Sequence, residues 1–273
     1  MQRPYQANQK TISVSLQSFF QGLTTVFLAL WLSTSYAVLQ DEIQVYDDEI
    51  NAKGEYSLEL HVNSTPSGLT SQSYPGEVMN HGNTRITPEF AYGLGHDLEL
   101  GLYVNSVMVG TQWNYAGFKG RLKWLPIQEK KGDGFFAGVN FELSNTLYQY
   151  EQSQYSGEAR FIIGKHFDEW LVVVNPIFDF SFSQPYTNQN PMFNLASRVS
   201  REITEGFSLG VEYYSNLGSL NYPVNLQTTG QTLFAVAYVD AGPVPFQFGI
   251  GRGLNSSTDS WTVKAIFSVP IDF

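Results

Sequence analysis

The sequence predicts an all-β fold: a single antiparallel transmembrane β-barrel of about twelve strands, with both termini on the periplasmic side. Three observations predict it. Apolar and polar residues alternate with a period of two, repeatedly along the chain. Long and short connections tend to follow one another, as in barrels with long external loops and short periplasmic turns. Aromatic residues fall at segment ends, where two interfacial girdles belong. Composition agrees: 15% charged and 15% aromatic residues, with 24 Gly, is little charge and much aromatic surface for a soluble chain. Cysteine is absent, which removes disulfide frameworks and thiolate metal sites.

The first 40 residues carry Arg3 and Lys10 and no acid; the first carboxylate is Asp41. A mostly apolar run from Phe19 to Leu32 leads to Ser35-Tyr36-Ala37, with small residues at the −3 and −1 positions of a cleavage site. The order basic, apolar, small predicts a secretory signal over 1–37, cleaved after Ala37. Gln21, Thr24 and Thr25 interrupt the run, which falls short of the ~20 apolar residues of a spanning helix. Cleavage takes both basic groups with it, leaving 13 basic and 25 acidic residues, a net charge of −12 against −10 for the whole chain. That excess of acid argues against a nucleic-acid partner.

Residues 38–54 are expected to form a periplasmic N-terminal segment ahead of the barrel, 55–273. Five acids crowd its stretch Asp41 to Gly54: Asp41, Glu42, Asp47, Asp48 and Glu49. The stretch has two courses open to it, a mobile periplasmic tail or a fold into the barrel mouth.

Alternation is clearest at 98–105, where Leu98, Leu100, Leu102 and Val104 share one face and Glu99, Gly101, Tyr103 and Asn105 the other. It recurs at 135–144 and 207–217. Twelve strands follow, near 55–63, 83–92, 98–108, 113–125, 134–147, 156–165, 169–183, 192–202, 206–216, 230–239, 244–252 and 260–271. Most have the ~9–11 residues that cross a bilayer at a tilt. The linker 64–82 is long and rich in Ser, Thr, Pro and Gly, whereas Gly93 to Asp97 is short. Two links fit poorly: 109–112 is short for an external loop, and 126–133 long for a periplasmic turn. Trp124, Trp170, Tyr92 and Phe207 fall at expected periplasmic strand ends, and Trp113 and Trp261 at external ones. The last strand alternates through Phe267, Val269 and Ile271 to a terminal Phe273, resembling the signal read by the barrel assembly machinery.

Several segments, EIQVYDDEINAKGEYSLELHVN (43–63), YPGEV (74–78), RITPEFAYGL (85–94), RLKWLP (121–126), VSREI (199–203) and FGIGRGLNSSTDSWTVKAIF (248–267), resemble a proteobacterial outer-membrane β-barrel family. That family is transporter-like and related to the phenol-degradation-pathway barrel family. The likeness runs through nearly the whole chain after residue 37. It implies the fold and an outer-membrane location, and no catalytic residues.

With the apolar faces toward lipid, the other faces line the lumen and carry fifteen charged positions. Seven are basic: Arg85, Lys119, Arg121, Lys123, Arg160, Arg198 and Lys264. Eight are acidic: Glu59, Glu89, Glu99, Glu142, Glu158, Asp179, Glu202 and Glu212. Folding the hairpins at their loop centres puts Glu99 near Arg121, sets Lys119, Glu142 and Arg160 at one level, and brings Arg198 near Glu212. Such charges form an interior network that keeps buried groups paired, a polar constriction that selects solutes, or both. Seven against eight predicts no strong preference for ion sign. Long inward groups predict a narrow lumen filled largely by side chains, in which Arg160 is the partner of Glu142.

Catalytic chemistry finds little support. Of the four histidines, His81 falls in an expected external loop with Glu77 and Asn80 nearby, and His96 and His166 in expected periplasmic turns. His61 and Ser64, three apart, face opposite sides of a strand. None of these forms a nucleophile–base–orienter set, and Glu77 with His81 lacks a third metal ligand. FGIGRG (248–253) has the wrong spacing for a dinucleotide loop, and its glycines are expected to make room for bulky neighbours. The sequence therefore predicts no enzyme, no cofactor and no metal. It predicts an outer-membrane channel or transporter for small solutes, and the family resemblance alone implies apolar compounds as a candidate class. The alternative is a structural or surface-interaction barrel without transport; a membrane enzyme comes last. Expected partners are outer-membrane lipid and lipopolysaccharide, the assembly machinery and a small solute.

Overall fold

The computed structural model describes residues 41–129, 134–220, 225 and 229–271. The expected signal segment 1–37 and Phe273, expected as the assembly signal, lie outside the described residues. Twelve antiparallel strands close into one barrel, each hydrogen-bonded to its sequence neighbours, with β1 also pairing β12. They are β1 Tyr56–Ser67, β2 Thr84–Gly95, β3 Leu98–Val109, β4 Gln112–Gln128, β5 Phe135–Thr146, β6 Tyr155–Phe167, β7 Trp170–Ser181, β8 Met192–Thr204, β9 Phe207–Ser219, β10 Gln231–Val239, β11 Phe246–Gly253 and β12 Trp261–Ile271. Closure leaves no unpaired edge, the condition for putting a sheet into hydrocarbon.

The strand count agrees with the sequence reading, and several strands are longer than expected. The two poorly fitting links now have physical forms. β3 and β4 run together as far as a two-residue turn, Gly110–Thr111, with Gly110 at φ +61°. β4 extends to Gln128, which shortens the long turn that follows. Between β2 and β3, His96 and Asp97 take φ values of +56° and +59°, as a two-residue hairpin matched to strand twist requires. β6 runs to Phe167, so His166 is a strand residue rather than the turn residue expected.

The outer surface is apolar. Leu100, Leu102, Val104, Phe118, Leu122, Phe141 and Leu143 are exposed on β3–β5, and Leu209, Val211, Phe248 and Ile250 on the far wall. Aromatic side chains flank this belt. Tyr56 stacks on Tyr92 with centroids 4.5 Å apart at the short-turn end, beside Trp124 and Trp170. Trp113, Tyr155, Phe182 and Trp261 are exposed at the long-loop end. The exterior is thus that of a membrane-spanning barrel.

Glycines on the wall admit large inward groups from neighbouring strands. A Cβ on Gly251 would meet the Phe234 ring at 2.5 Å, and one on Gly101 would meet Arg121 Nε at 2.6 Å. The FGIGRG glycines have the packing role expected of them.

Candidate functional site: an occupied lumen

The N-terminal stretch takes the second of its two courses and goes deeper than the mouth. A turn at Ala52–Glu55, closed by Glu55 N–H donating to the Ala52 carbonyl at 3.0 Å, reverses the chain into the barrel. Gly54, third in that turn, has φ +87°, a type II position that favours glycine. The turn lies against Gly93, where any Cβ would strike the Ala52 carbonyl. From there residues 51 back to 41 run up the lumen as an extended strap, ending beside Arg85 near the long-loop end of β2.

The strap forms no β-ladder, so its backbone groups must find other partners. Inward side chains supply them. Asn175 clamps Tyr46 in both senses: Tyr46 N–H donates to its Oδ1 at 2.7 Å, and its Nδ2 donates to the Tyr46 carbonyl at 2.9 Å. Lys264 Nζ donates to the Ile43 carbonyl at 3.0 Å, and Arg160 to the Gln44 carbonyl at 3.1 Å. Asn51 N–H donates to Glu99 at 2.7 Å.

The strap's acids engage lumen bases. Arg85 pairs with Asp41 at 2.6 Å, Lys119 with Glu42, Arg198 with Asp47 at 2.8 Å, and His166 with Asp48 at 3.1 Å. Tyr46 Oη bonds Glu42, Tyr103 Oη at 2.8 Å and Glu142 at 3.2 Å. The Arg160 guanidinium lies 4.4 Å over the Tyr46 ring, a cation–π contact. Ile43 and Val45 pack into an apolar cluster with Phe136, Ile162, Val173, Phe234 and Val236. This corrects the expectation of a lumen filled mainly by long polar groups. Burying such aliphatic side chains favours the seated strap by about 1.5–3 kcal/mol each.

Of the eight charged residues singled out from sequence, Glu99, Lys119, Arg121, Glu142, Arg160, Arg198 and Glu212 are buried inside the barrel and Asp179 is half-buried. Glu202, from the wider list, is exposed at the rim. Arg121 meets Glu99 at 2.7 Å and Lys119 meets Glu142 at 2.8 Å, as the hairpin geometry anticipated. Two other pairings are corrected. Arg160 pairs with Glu158 at 2.7 Å, two residues along its own strand, rather than with Glu142. Arg198 stands opposite Glu212 in register, yet turns to Asp47 of the strap, while Glu212 takes Lys264. Asp179 accepts from Asn194.

Sequence reasoning missed His61. It is fully buried on the inner face of β1, its Nε2 3.1 Å from Glu89 and 3.6 Å from Glu59. The signal was present: Glu59 and His61 stand two apart, so an inward Glu59 carries His61 inward with it.

Cavities lie on both sides of the strap. At the long-loop end one of about 140 Å³ is lined by Asp41, Glu42 and Gln44 with Glu142, Glu151, Glu158 and Asp179. At the short-turn end two, of about 610 and 320 Å³, reach up to Asp47 and Glu49. Half-buried Glu151, in the loop between β5 and β6, has its carboxyl pushed up to about 7 by burial and by the Asp41 carboxylate.

A closed twelve-stranded barrel with an apolar belt and a charged, strap-filled lumen defines the class: the fold is that of an outer-membrane β-barrel. No family model matches the chain, and no curated protein matches it. Solved structures do. An outer membrane channel from Pseudomonas putida F1 aligns at a TM-score of 0.56 and 13% identity, covering 84% of this chain and all of the other. The KdgM porin aligns at 0.54 and 8% identity, covering 79% and 99%. KdgM in complex with disordered oligogalacturonate aligns at 0.51 and 8% identity, again over 79% and 99%. At these identities the likeness is one of fold.

Proposed function

We propose that the protein works in the outer membrane as a channel for small polar solutes, with the strap as its internal gate. In this reading the signal segment is removed after Ala37, and the short-turn end and the end of β12 face the periplasm. The strap carries Asp41 up the lumen toward the long-loop end rather than leaving the N-terminal segment in the periplasm, and the barrel assembly machinery inserts the chain among lipid and lipopolysaccharide. The observation that carries the reading is the strap itself. It lies in the lumen with cavities above and below, held by wall side chains rather than by a β-ladder.

The strap changes the charge argument. Residues 41–51 bring five acids and no base into a lumen whose wall is near balance. The long-loop cavity is lined by six carboxylates, Glu142, Glu151, Glu158, Asp179, Asp41 and Glu42, against Lys119 and Arg160. Serine and threonine hydroxyls, Ser144, Thr146, Ser156 and Ser181 among them, complete its wall. This lining favours cationic or hydroxyl-rich neutral solutes over anions. The apolar solutes implied by the sequence resemblance find less support, as do anions like the oligogalacturonate held by KdgM.

Planar-bilayer recording of the mature chain and of a variant lacking residues 41–51 tests the reading. The intact chain is expected to be nearly silent and the deletion to give discrete, cation-preferring steps. A deletion variant that keeps heat-modifiable gel mobility, and so is folded, yet stays silent would overturn it in favour of a structural barrel.

A further inference from the structure

We propose that Glu59, His61 and Glu89 hold one divalent cation of the zinc class inside the barrel. Glu59 and His61 share the inner face of β1, and Glu89 stands directly opposite Glu59 on β2. Two carboxylates facing each other across a ladder repel, and here both are turned into the barrel. Arg121 answers only part of that charge: it is bound to the Oε1 oxygen of Glu89, at 2.6 Å from Nε, and is shared with Glu99. Oε2 of Glu89 is left facing the imidazole. Glu59 pairs with His61 and otherwise accepts from the neutral Gln44 amide at 3.4 Å and the Ser268 hydroxyl at 3.1 Å.

The donor geometry fits a metal. One atom from each of the three residues lies within 4.8 Å of the others. His61 Nε2 is 3.1 Å from Glu89 Oε2 and 3.6 Å from Glu59 Oε2. Ligands at zinc distances of ~2.0–2.2 Å in a tetrahedron stand roughly 3.3–3.6 Å apart, so small rotations seat the ion. One imidazole and two carboxylates suit zinc and its first-row neighbours better than the all-oxygen shells of calcium or magnesium. A proton on the imidazole is the competing cation. Zinc on Nε2 leaves the single imidazole proton on Nδ1, which has no hydrogen-bond partner among the described residues, so that N–H is buried alike under zinc and under a proton and the two cations compete at Nε2. Entry is available, because Glu59 and Glu89 line the 610 Å³ cavity at the short-turn end. Three protein ligands leave a fourth coordination place for water or a solute group.

The test uses the tag-free mature chain in detergent, stripped with chelator and then dialysed against zinc chloride. About one zinc per chain is expected, with cobalt substitution giving a tetrahedral visible spectrum. His61→Ala and the milder Glu59→Gln should weaken uptake by more than the ~10–100-fold that loss of an outer-shell partner costs elsewhere. Heat-modifiable gel mobility certifies that each variant is folded, and neither measurement needs a conducting channel. Absence of zinc uptake by the parent chain, or uptake unchanged in both folded variants, overturns the site.

Discussion

The two faces of β3–β5 present opposite solutions to one problem. On the outer face Leu100, Leu102, Phe118, Leu122, Phe141 and Leu143 are exposed, each suited to hydrocarbon on its own. Between them on the inner face stand Glu99, Tyr103, Lys119, Arg121 and Glu142, all buried. The outer residues need no particular partner, because lipid is a uniform apolar solvent. Each inner residue needs a specific one, because a buried charge without a counter-charge is costly. An outer position therefore tolerates any apolar group, and an inner one tolerates very little.

The sharpest way to break that contrast is to remove one member of the most enclosed inner pair. Lys264 is wholly buried against Glu212, which also accepts from Tyr214 and Tyr238 at 2.7 Å. Lys264→Met keeps the bulk and leaves the carboxylate uncompensated, an expected loss of about 3–5 kcal/mol in urea unfolding from lipid vesicles. Lys264→Met and Glu212→Gln together should recover part of it. A single variant as stable as the parent would mean that water reaches the pair.

The outer face breaks in a different currency. Leu102 lies near the middle of β3 and is 51% exposed. Leu102→Lys should cost about 2–4 kcal/mol, the value for a lysine at the bilayer midplane, while Leu102→Phe should be nearly neutral. Equal stability of the lysine variant in the same unfolding assay would move the belt away from Leu102.

The smallest effect sharpens the inner side, at the junction of loop and strap. With a folded-state value of about 7 against an ordinary 4.5, Glu151 holds a proton in the folded chain that the unfolded chain has released. Stability from this group is therefore greatest at low pH and declines as pH rises between those values. Melting in detergent at pH 5 and pH 8 should show a fall for the parent chain that is smaller in Glu151→Gln. Identical falls would mean that the carboxyl is solvated.

How much was legible follows from the same contrast. In β3 and β5 the alternation is strict, so lipid-facing and lumen-facing sets could be read off directly. In β7, LVVVNPIFDF over 171–180 is apolar on both faces, and only the strap explains why Leu171, Val173 and Ile177 are buried. The pair Arg121–Glu99 was readable because both partners lie on one hairpin. Arg198 with Asp47 was not, since 151 residues separate them. Nor was Arg160 with Glu158, where the choice between a neighbour on the same strand and Glu142 across the ladder depends on where the Gln44 carbonyl and the Tyr46 ring lie.

By itself, then, the sequence determined the barrel, its strand number and the outward face of its clearest strands, because period-two alternation is a local property of each strand. It determined that 41–54 is acidic. Only the tertiary structure decided that this segment enters the lumen, tips its near-balanced charge toward acid and joins Ile43 and Val45 to an internal apolar cluster. It also decided that His61 meets Glu59 and Glu89. These outcomes depend on which side chains the closed barrel holds at one height, and closure is set by all twelve strands together.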